Sequence, residues 1–185
     1  MGEWKIFILR LNHRPNRDKR VTTHLRLAAR AFGASGAYYT GQRDEKVEAS
    51  VQKVNQSWGS YFYVEHVKNW RGIIKQWKEG EGEIIHLTMY GLPVQQIIEQ
   101  MKMSPRDKLI IVGGAKVPSE VYDLADWNAS VTTQPHSEIS ALSVFLHMLF
   151  EGHELSTSFE NAEIRIVPQS KGKSIMRNSS RPNIT

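Results

Sequence analysis

Thr132-Thr-Gln-Pro-His-Ser-Glu-Ile-Ser-Ala-Leu-Ser-Val-Phe-Leu-His-Met-Leu-Phe150 is the stretch around which the rest of the chain arranges itself. It begins as polar turn residues and continues as an apolar helix, with Ile139, Leu142, Phe145, Leu146 and Leu149 at steps of three and four on one face. Thr133 is placed to cap that helix, and Pro135 falls in its first turn, where a missing N–H costs little. The first N–H groups of such a helix are free and carry partial positive charge, so a carboxylate or phosphate can dock there. A core helix with an ordinary cap has the same periodicity, so the flanking sequence must decide between the two.

Trp127 to Val131 reads as a short strand leading into this stretch, with a short helix from Ser119 to Leu124 before it. Further upstream, Lys108-Leu-Ile-Ile-Val112 is an unbroken apolar run delivered straight into Gly113-Gly114. Glu83-Ile-Ile-His-Leu-Thr-Met89 is another strand, and Val94, Ile97, Ile98 and Met101 mark the helix after it. Trp70, Ile73, Ile74 and Trp77 line a helix behind the strand Tyr61 to Val67. Val47, Val51, Val54 and Trp58 make Asp44 to Ser57 a helix ended by Gly59. Ala37 to Thr40 is a short strand.

At the start, Trp4 to Leu11 holds the apolar run Ile6-Phe-Ile-Leu9, as in a strand covered on both faces. Asn12 to Arg20 reads as a polar loop, after which Thr22 or Thr23 can cap a helix through Leu25, Ala28, Ala29 and Phe32 that stops at Gly33. Glu163 to Val167 is the last strand, before Pro168. Strand and helix alternate throughout, which predicts an α/β fold with a single, mostly parallel sheet flanked by helices. One domain is expected over 1–168, with 169–185 a basic, flexible tail that few apolar residues could anchor.

Composition sets limits on function. At 185 residues, 40% hydrophobic and 23% charged, the chain can bury a core without staples. It has no cysteine, which excludes disulfides, thiolate metal sites and a cysteine nucleophile. No apolar run reaches membrane-spanning length and the N-terminus lacks a signal pattern, so a cytoplasmic location is expected. The net charge is +5, and its placement is uneven. Arg10, Arg14, Arg17, Lys19, Arg20, Arg26 and Arg30 crowd one segment with Asp18 as its only acid, and Gln169 to Thr185 carries four basic residues and no acid. Such clusters suit a polyanion such as nucleic acid, and a solvated basic face has the same composition.

Three segments end a strand in a polar or glycine-rich loop: His86 to Gly91, Ile111 to Pro118 and Val131 to Glu138. Ligands bind outside the carboxyl ends of parallel strands, and three such loops side by side offer backbone donors suited to an adenine and a ribose. The phosphate-loop and dinucleotide glycine fingerprints are missing, as is a nucleophile elbow. The seven histidines are scattered without metal-ligand spacing, so no metal is expected.

Arg10 to His24, Ala29-Arg-Ala-Phe-Gly33, His86-Leu-Thr-Met-Tyr-Gly91, Val112-Gly-Gly-Ala-Lys-Val-Pro118 and Gln134-Pro-His-Ser-Glu138 resemble, in order, the archaeal tRNA (cytidine-56) ribose-2′-O-methyltransferase family of the SPOUT superfamily. The resemblance runs from about Lys5 to Pro168. It implies a C-terminal trefoil knot, against the general rule that chains do not thread, and a homodimer that methylates a cytidine ribose in the tRNA T-loop with S-adenosyl-L-methionine. By the same resemblance the donor lies against Leu87, against Gly113, Gly114, Ala115, Lys116 and Val117, and against Thr132, Thr133, Gln134, Pro135, His136, Ser137, Glu138 and Ile139. Gly113-Gly114-Ala115 stands where the family often has Gly-Ala-Glu, and Thr132-Thr133 where it often has Gly-Asn. Both departures leave the backbone contacts available.

Transfer to a ribose hydroxyl needs a base, or a cation that stabilises the developing alkoxide. Related SPOUT enzymes use an arginine near the position held here by Leu27. Arg20 is the first candidate and His24 the second, with Arg10, Arg14, Arg17 and Lys19 expected to hold RNA phosphates. A non-catalytic tRNA-binding protein on the same fold is the rival reading, and donor binding separates the two.

Overall fold

The computed structural model describes residues 4–114 and 116–178. Six strands form one sheet in the order β3-β2-β1-β5-β4-β6, every neighbouring pair parallel. They are β1 (Ile6–His13), β2 (Gly36–Gly41), β3 (Tyr63–His66), β4 (Glu83–Pro93), β5 (Lys108–Val112) and β6 (Trp127–Ser130). The connecting helices are α1 (Pro15–Ala31), α2 (Glu45–Trp58), α3 (Trp70–Glu79), α4 (Val94–Met103) and α5 (Glu120–Leu124), with α6 (Glu138–Phe150) after β6. Strand residues alternate between two apolar layers. Ile6, Ile8, Ile85 and Ile110 pack with side chains of α1, α2, α4 and α6, whereas Leu9, Leu11, Ile84 and Ile111 meet Ile74 of α3 and Val121 of α5. Coverage on both faces is why these strands read as continuous apolar runs.

Three boundaries differ from the sequence reading. The expected loop Asn12 to Arg20 is mostly helix: α1 starts at Pro15, just inside an extended Arg14, with Asp18 in its first turn. Proline at the first helical position and an early acid are the ordinary start signals, and here they outweigh the charge density that suggested a loop. Thr22 therefore lies mid-helix, fully buried, and caps nothing. Likewise α6 is capped by Ser137, whose hydroxyl accepts from the Ser140 N–H at 3.1 Å, and not by Thr133. Finally, Ile164–Val167 does not join the main sheet. It pairs antiparallel with Ser174–Arg177, so β7 and β8 make a separate hairpin and the segment expected to be loosely held contains a strand. Residues 179–185 lie outside the described residues.

The sheet has its switch at β1. The chain moves from β1 to β2 and β3 on one side, then returns to place β5 and β4 on the other. Beyond Leu87 the ladder between β4 and β6 shifts, so that Leu87 and Leu92 both stand opposite Ala129 and residues 88–91 bulge over β6. A Cβ at Gly91 would strike the Asn128 carbonyl oxygen, which restricts this position to glycine.

Candidate active site

A cavity of about 720 Å³ opens at the carboxyl ends of β1, β5, β4 and β6, the side of the switch where parallel sheets bind ligands. Leu87, Gly113, Gly114, Lys116, Val117, Gln134, Pro135, His136 and Glu138 line it, as expected of the three loops. Thr132, Thr133, Ser137 and Ile139 do not. Ser137 is spent on the helix cap, Ile139 packs against the core, and Thr132 and Thr133 face solvent outside the lining. Ala115 lies outside the described residues.

The walls are held from behind. Asn12, at φ 56°, donates from its side chain to the Lys116 carbonyl at 3.2 Å and so ties the loop after β5 to the end of β1. A Cβ at Gly114 would meet nothing nearer than the Leu11 carbonyl at 3.7 Å, so the cavity is open beside it. Gly113 is different, since an added Cβ would strike the Val117 side chain.

In the sequence His86 is one residue of a loop motif; in the fold its ring is oriented by a side chain of β6. Asn128 donates its amide N–H to the Tyr122 carbonyl at 2.9 Å, which turns its Oδ1 towards His86 Nδ1, also 2.9 Å away. The Nδ1 therefore carries the proton, and burial holds the imidazole neutral by pushing its pKa down. That leaves Nε2 as a lone-pair acceptor, buried and without a partner, on a residue that lines the cavity. An orphaned acceptor here matches a ligand bearing hydroxyl or amino hydrogens, as an adenosine does. The open side of Gly114 and the backbone of three loops complete the fit to an adenosyl donor.

The basic residues separate into three groups. Arg10, expected on an RNA-facing surface, is only 2% exposed because it sits within β1. It donates from Nε to Thr22 Oγ1 at 3.1 Å, lies 3.5 Å from Glu138 Oε1, and forms part of the cavity wall. Arg14 and Arg17 are at the rim, with Arg14 paired to Asp18 at 3.2 Å. Arg20 and His24 do not reach this cavity. They follow Arg17 at steps of three and four along the exposed face of α1, and Lys19 belongs to the same helix.

This is the fold of the SpoU-type RNA methyltransferases. The AviRb methyltransferase of Streptomyces viridochromogenes, solved with AdoMet, superposes with TM-score 0.58 at 14% identity, covering 84% of this chain and 60% of its own. The TrmH/SpoU tRNA modifying enzyme of A. aeolicus gives 0.56 at 13% identity, over 84% of this chain and 77% of that one. At such identities the likeness is one of fold. Sequence goes further: residues 58–176 match the family described as tRNA ribose 2′-O-methyltransferase, aTrm56, and the chain belongs to that family. Two relatives, both named tRNA (cytidine(56)-2′-O)-methyltransferase, come from Methanothermobacter thermautotrophicus and Methanopyrus kandleri. The first is 52% identical over 90% of this chain and 93% of its own length, the second 49% over 95% and 98%.

Proposed function

We propose that this protein methylates the 2′-hydroxyl of the cytidine ribose at position 56 in the tRNA T-loop, using S-adenosyl-L-methionine. The observation that carries the reading is the three-loop cavity at the switch of the sheet, on a chain that shares about half its residues with relatives of that name. When bound, the donor supplies an electrophilic methyl group on a sulfonium sulfur. The backbones of the three loops, the open side of Gly114 and His86 Nε2 would hold that donor with its methyl group available to the ribose oxygen. The protein must hold the oxygen in line, exclude water and offset the developing negative charge.

Arg20 and His24 retain this role only if something brings α1 to a donor cavity. The homodimer implied by the family provides the means: Arg20 of one protomer faces the cavity of its partner. Its exposure, one turn beyond the rim residue Arg17, supports this reading. An arginine stays protonated near neutral pH, so Arg20 orients the hydroxyl and stabilises the alkoxide, leaving proton transfer to His24 or solvent. Arg14 and Arg17 continue the cationic path for phosphates from the rim, and the Lys19 side chain lies outside the described residues. The reading includes the trefoil knot, supported by residues 88–91 lying across β6, and places the enzyme in the cytoplasm with its substrate. Among the described residues no helix is long and apolar enough to cross a membrane.

Incubation of a tRNA transcript with the protein and methyl-labelled donor should place the label on the ribose of cytidine 56. Binding of tRNA without label would leave the non-catalytic rival standing. In single-turnover measurements Arg20→Ala should lose roughly a hundredfold in rate with near-normal affinity for donor and tRNA. At a donor concentration too low to load Gly114→Val, mixing that variant with Arg20→Ala should give more activity than the two parts summed, through mixed dimers. A mixture no more active than that sum would return Arg20 to phosphate binding within its own protomer.

A further inference from the structure

A chain of polar contacts lies beneath the cavity, hidden from solvent. Asp44 caps α2, its Oδ1 accepting from the N–H groups of Lys46 and Val47 at 3.1 and 3.4 Å. The cap fixes its second oxygen 3.6 Å from His13 Nε2, an electrostatic contact just beyond hydrogen-bond length. His13 is buried, and burial together with the nearby Arg26 cation pushes its pKa down, so the ring is neutral. With one proton to place and a carboxylate beside Nε2, the proton sits there and Nδ1 is the acceptor. The Thr22 hydroxyl therefore donates to Nδ1, at 2.8 Å, and its lone pair is left to accept from Arg10 Nε at 3.1 Å. Each hydrogen is committed in one direction, and the series ends on a guanidinium in the cavity wall. The Glu138 carboxylate stands beside it at 3.5 Å, the limit of a hydrogen bond.

We infer that Arg10 and Glu138 receive the amino-acid end of the methyl donor, the α-carboxylate on Arg10 and the α-ammonium on Glu138, with Thr22, His13 and Asp44 as the positioning residues for Arg10. This rests on the donor reading above. The loop backbones and His86 Nε2 suit the adenosine part of the donor and carry no formal charge; of the charged lining residues, Lys116 and Arg17 are cations alone and Arg14 is closed on Asp18 at 3.2 Å at the rim. A cation and an anion side by side at the cavity wall, loosely paired with each other, have the complementary charges. A guanidinium loses affinity for a carboxylate when its plane is free to swing, and the bond from Thr22 to Nε prevents that rotation.

The test uses the whole protein and two probes, measured by calorimetry: S-adenosylhomocysteine, which keeps the amino-acid end, and 5′-methylthioadenosine, which lacks it. The parent should bind the first more tightly. Thr22→Val keeps shape and loses the hydroxyl; it should weaken S-adenosylhomocysteine about tenfold and leave 5′-methylthioadenosine unchanged. Thr22→Ser, which restores the hydroxyl, should recover the difference. Arg10→Met should abolish the preference between the probes. A purely structural role for Thr22 would weaken both probes together, and that result overturns the inference, as would Thr22→Val binding both as the parent does. Thermal melts of each variant confirm that a folded protein is being titrated. A parent that binds 5′-methylthioadenosine as tightly as S-adenosylhomocysteine rejects the inference while keeping an adenosine site. A parent that binds neither rejects the donor reading itself.

Discussion

The two ends of the sheet treat buried charge in opposite ways. At the amino end, Lys108 Nζ reaches Glu83 Oε2 at 3.0 Å and the carbonyls of Arg106 and Ser104 at 2.9 and 3.3 Å, using all three of its protons. The other Glu83 oxygen accepts from Trp127 Nε1 at 2.8 Å and Arg106 at 2.9 Å. At the carboxyl end, His13 Nε2, His86 Nε2 and all three nitrogens of Arg26 are buried without a hydrogen-bond partner. Arg26 is left with the face of Tyr39, 4.2 Å from its guanidinium carbon, and burial lowers its pKa to about 10. Saturated polar groups lock one arrangement in place, whereas unsaturated ones hold binding capacity at a cost in stability. The cluster around Glu83 is saturated, and the groups around the cavity are not.

The contrast can be broken most decisively at Glu83. Glu83→Ala strands a buried ammonium and should cost roughly 3–5 kcal/mol in urea unfolding, with methyl transfer per folded molecule unchanged. A loss under 1 kcal/mol would mean the amino-end cluster is not what holds that end together. Next in size, and of opposite sign, Arg26→Met should stabilise by about 1–4 kcal/mol, read as a rise in Tm, because an apolar chain replaces a charge that finds no hydrogen bonds. A lower Tm would show that Arg26 is better paired than its geometry indicates.

Acid should act on the amino end. Burial alone would raise the Glu83 pKa, but hydrogen bonds from Trp127 and Lys108 outweigh it and hold the carboxyl below its ordinary 4.5. A lowered folded-state pKa gives stability that is complete above 4.5 and is lost as the pH falls through the folded value. Tm measured from pH 6 downward should therefore fall more steeply for the parent than for Glu83→Gln. Equal slopes would assign the acid sensitivity to other carboxylates. The smallest effect concerns the cavity. Gly114→Ala should leave donor affinity and Tm as they are, whereas Gly114→Val should weaken the donor about tenfold by entering the open space. Calorimetry on the pair sharpens the point that this end has room to spare.

The central strands were legible from apolar runs such as Ile6 to Leu9 and Lys108 to Val112, because coverage on both faces leaves that mark, whereas the edge strands β3 and β6 are short and partly polar. Strand order was not, since the pairing of β1 with β5 depends on segments a hundred residues apart. The hairpin had a signal in Gly172, at φ 82° between two lysines and followed by Ser-Ile-Met-Arg, but basic composition masked it. Nine of the described residues that the family motifs assign to the donor line one cavity, because loops at strand ends are local features. The layer behind them was missed. Thr22 reads as a cap and His13 as loop surface, and only the fold buries them against Arg10.

The position of β1 also bears on how the protein is made. It stands in the middle of the sheet, and β2, its neighbour on one side, follows it closely in the chain. Its other neighbour, β5, begins at Lys108, nearly a hundred residues later. At roughly 5–20 residues per second of synthesis, that flank of β1 stays unpaired for about 5–20 s in each nascent chain. During translation this apolar strand is thus an open edge, the kind of surface that a chaperone covers.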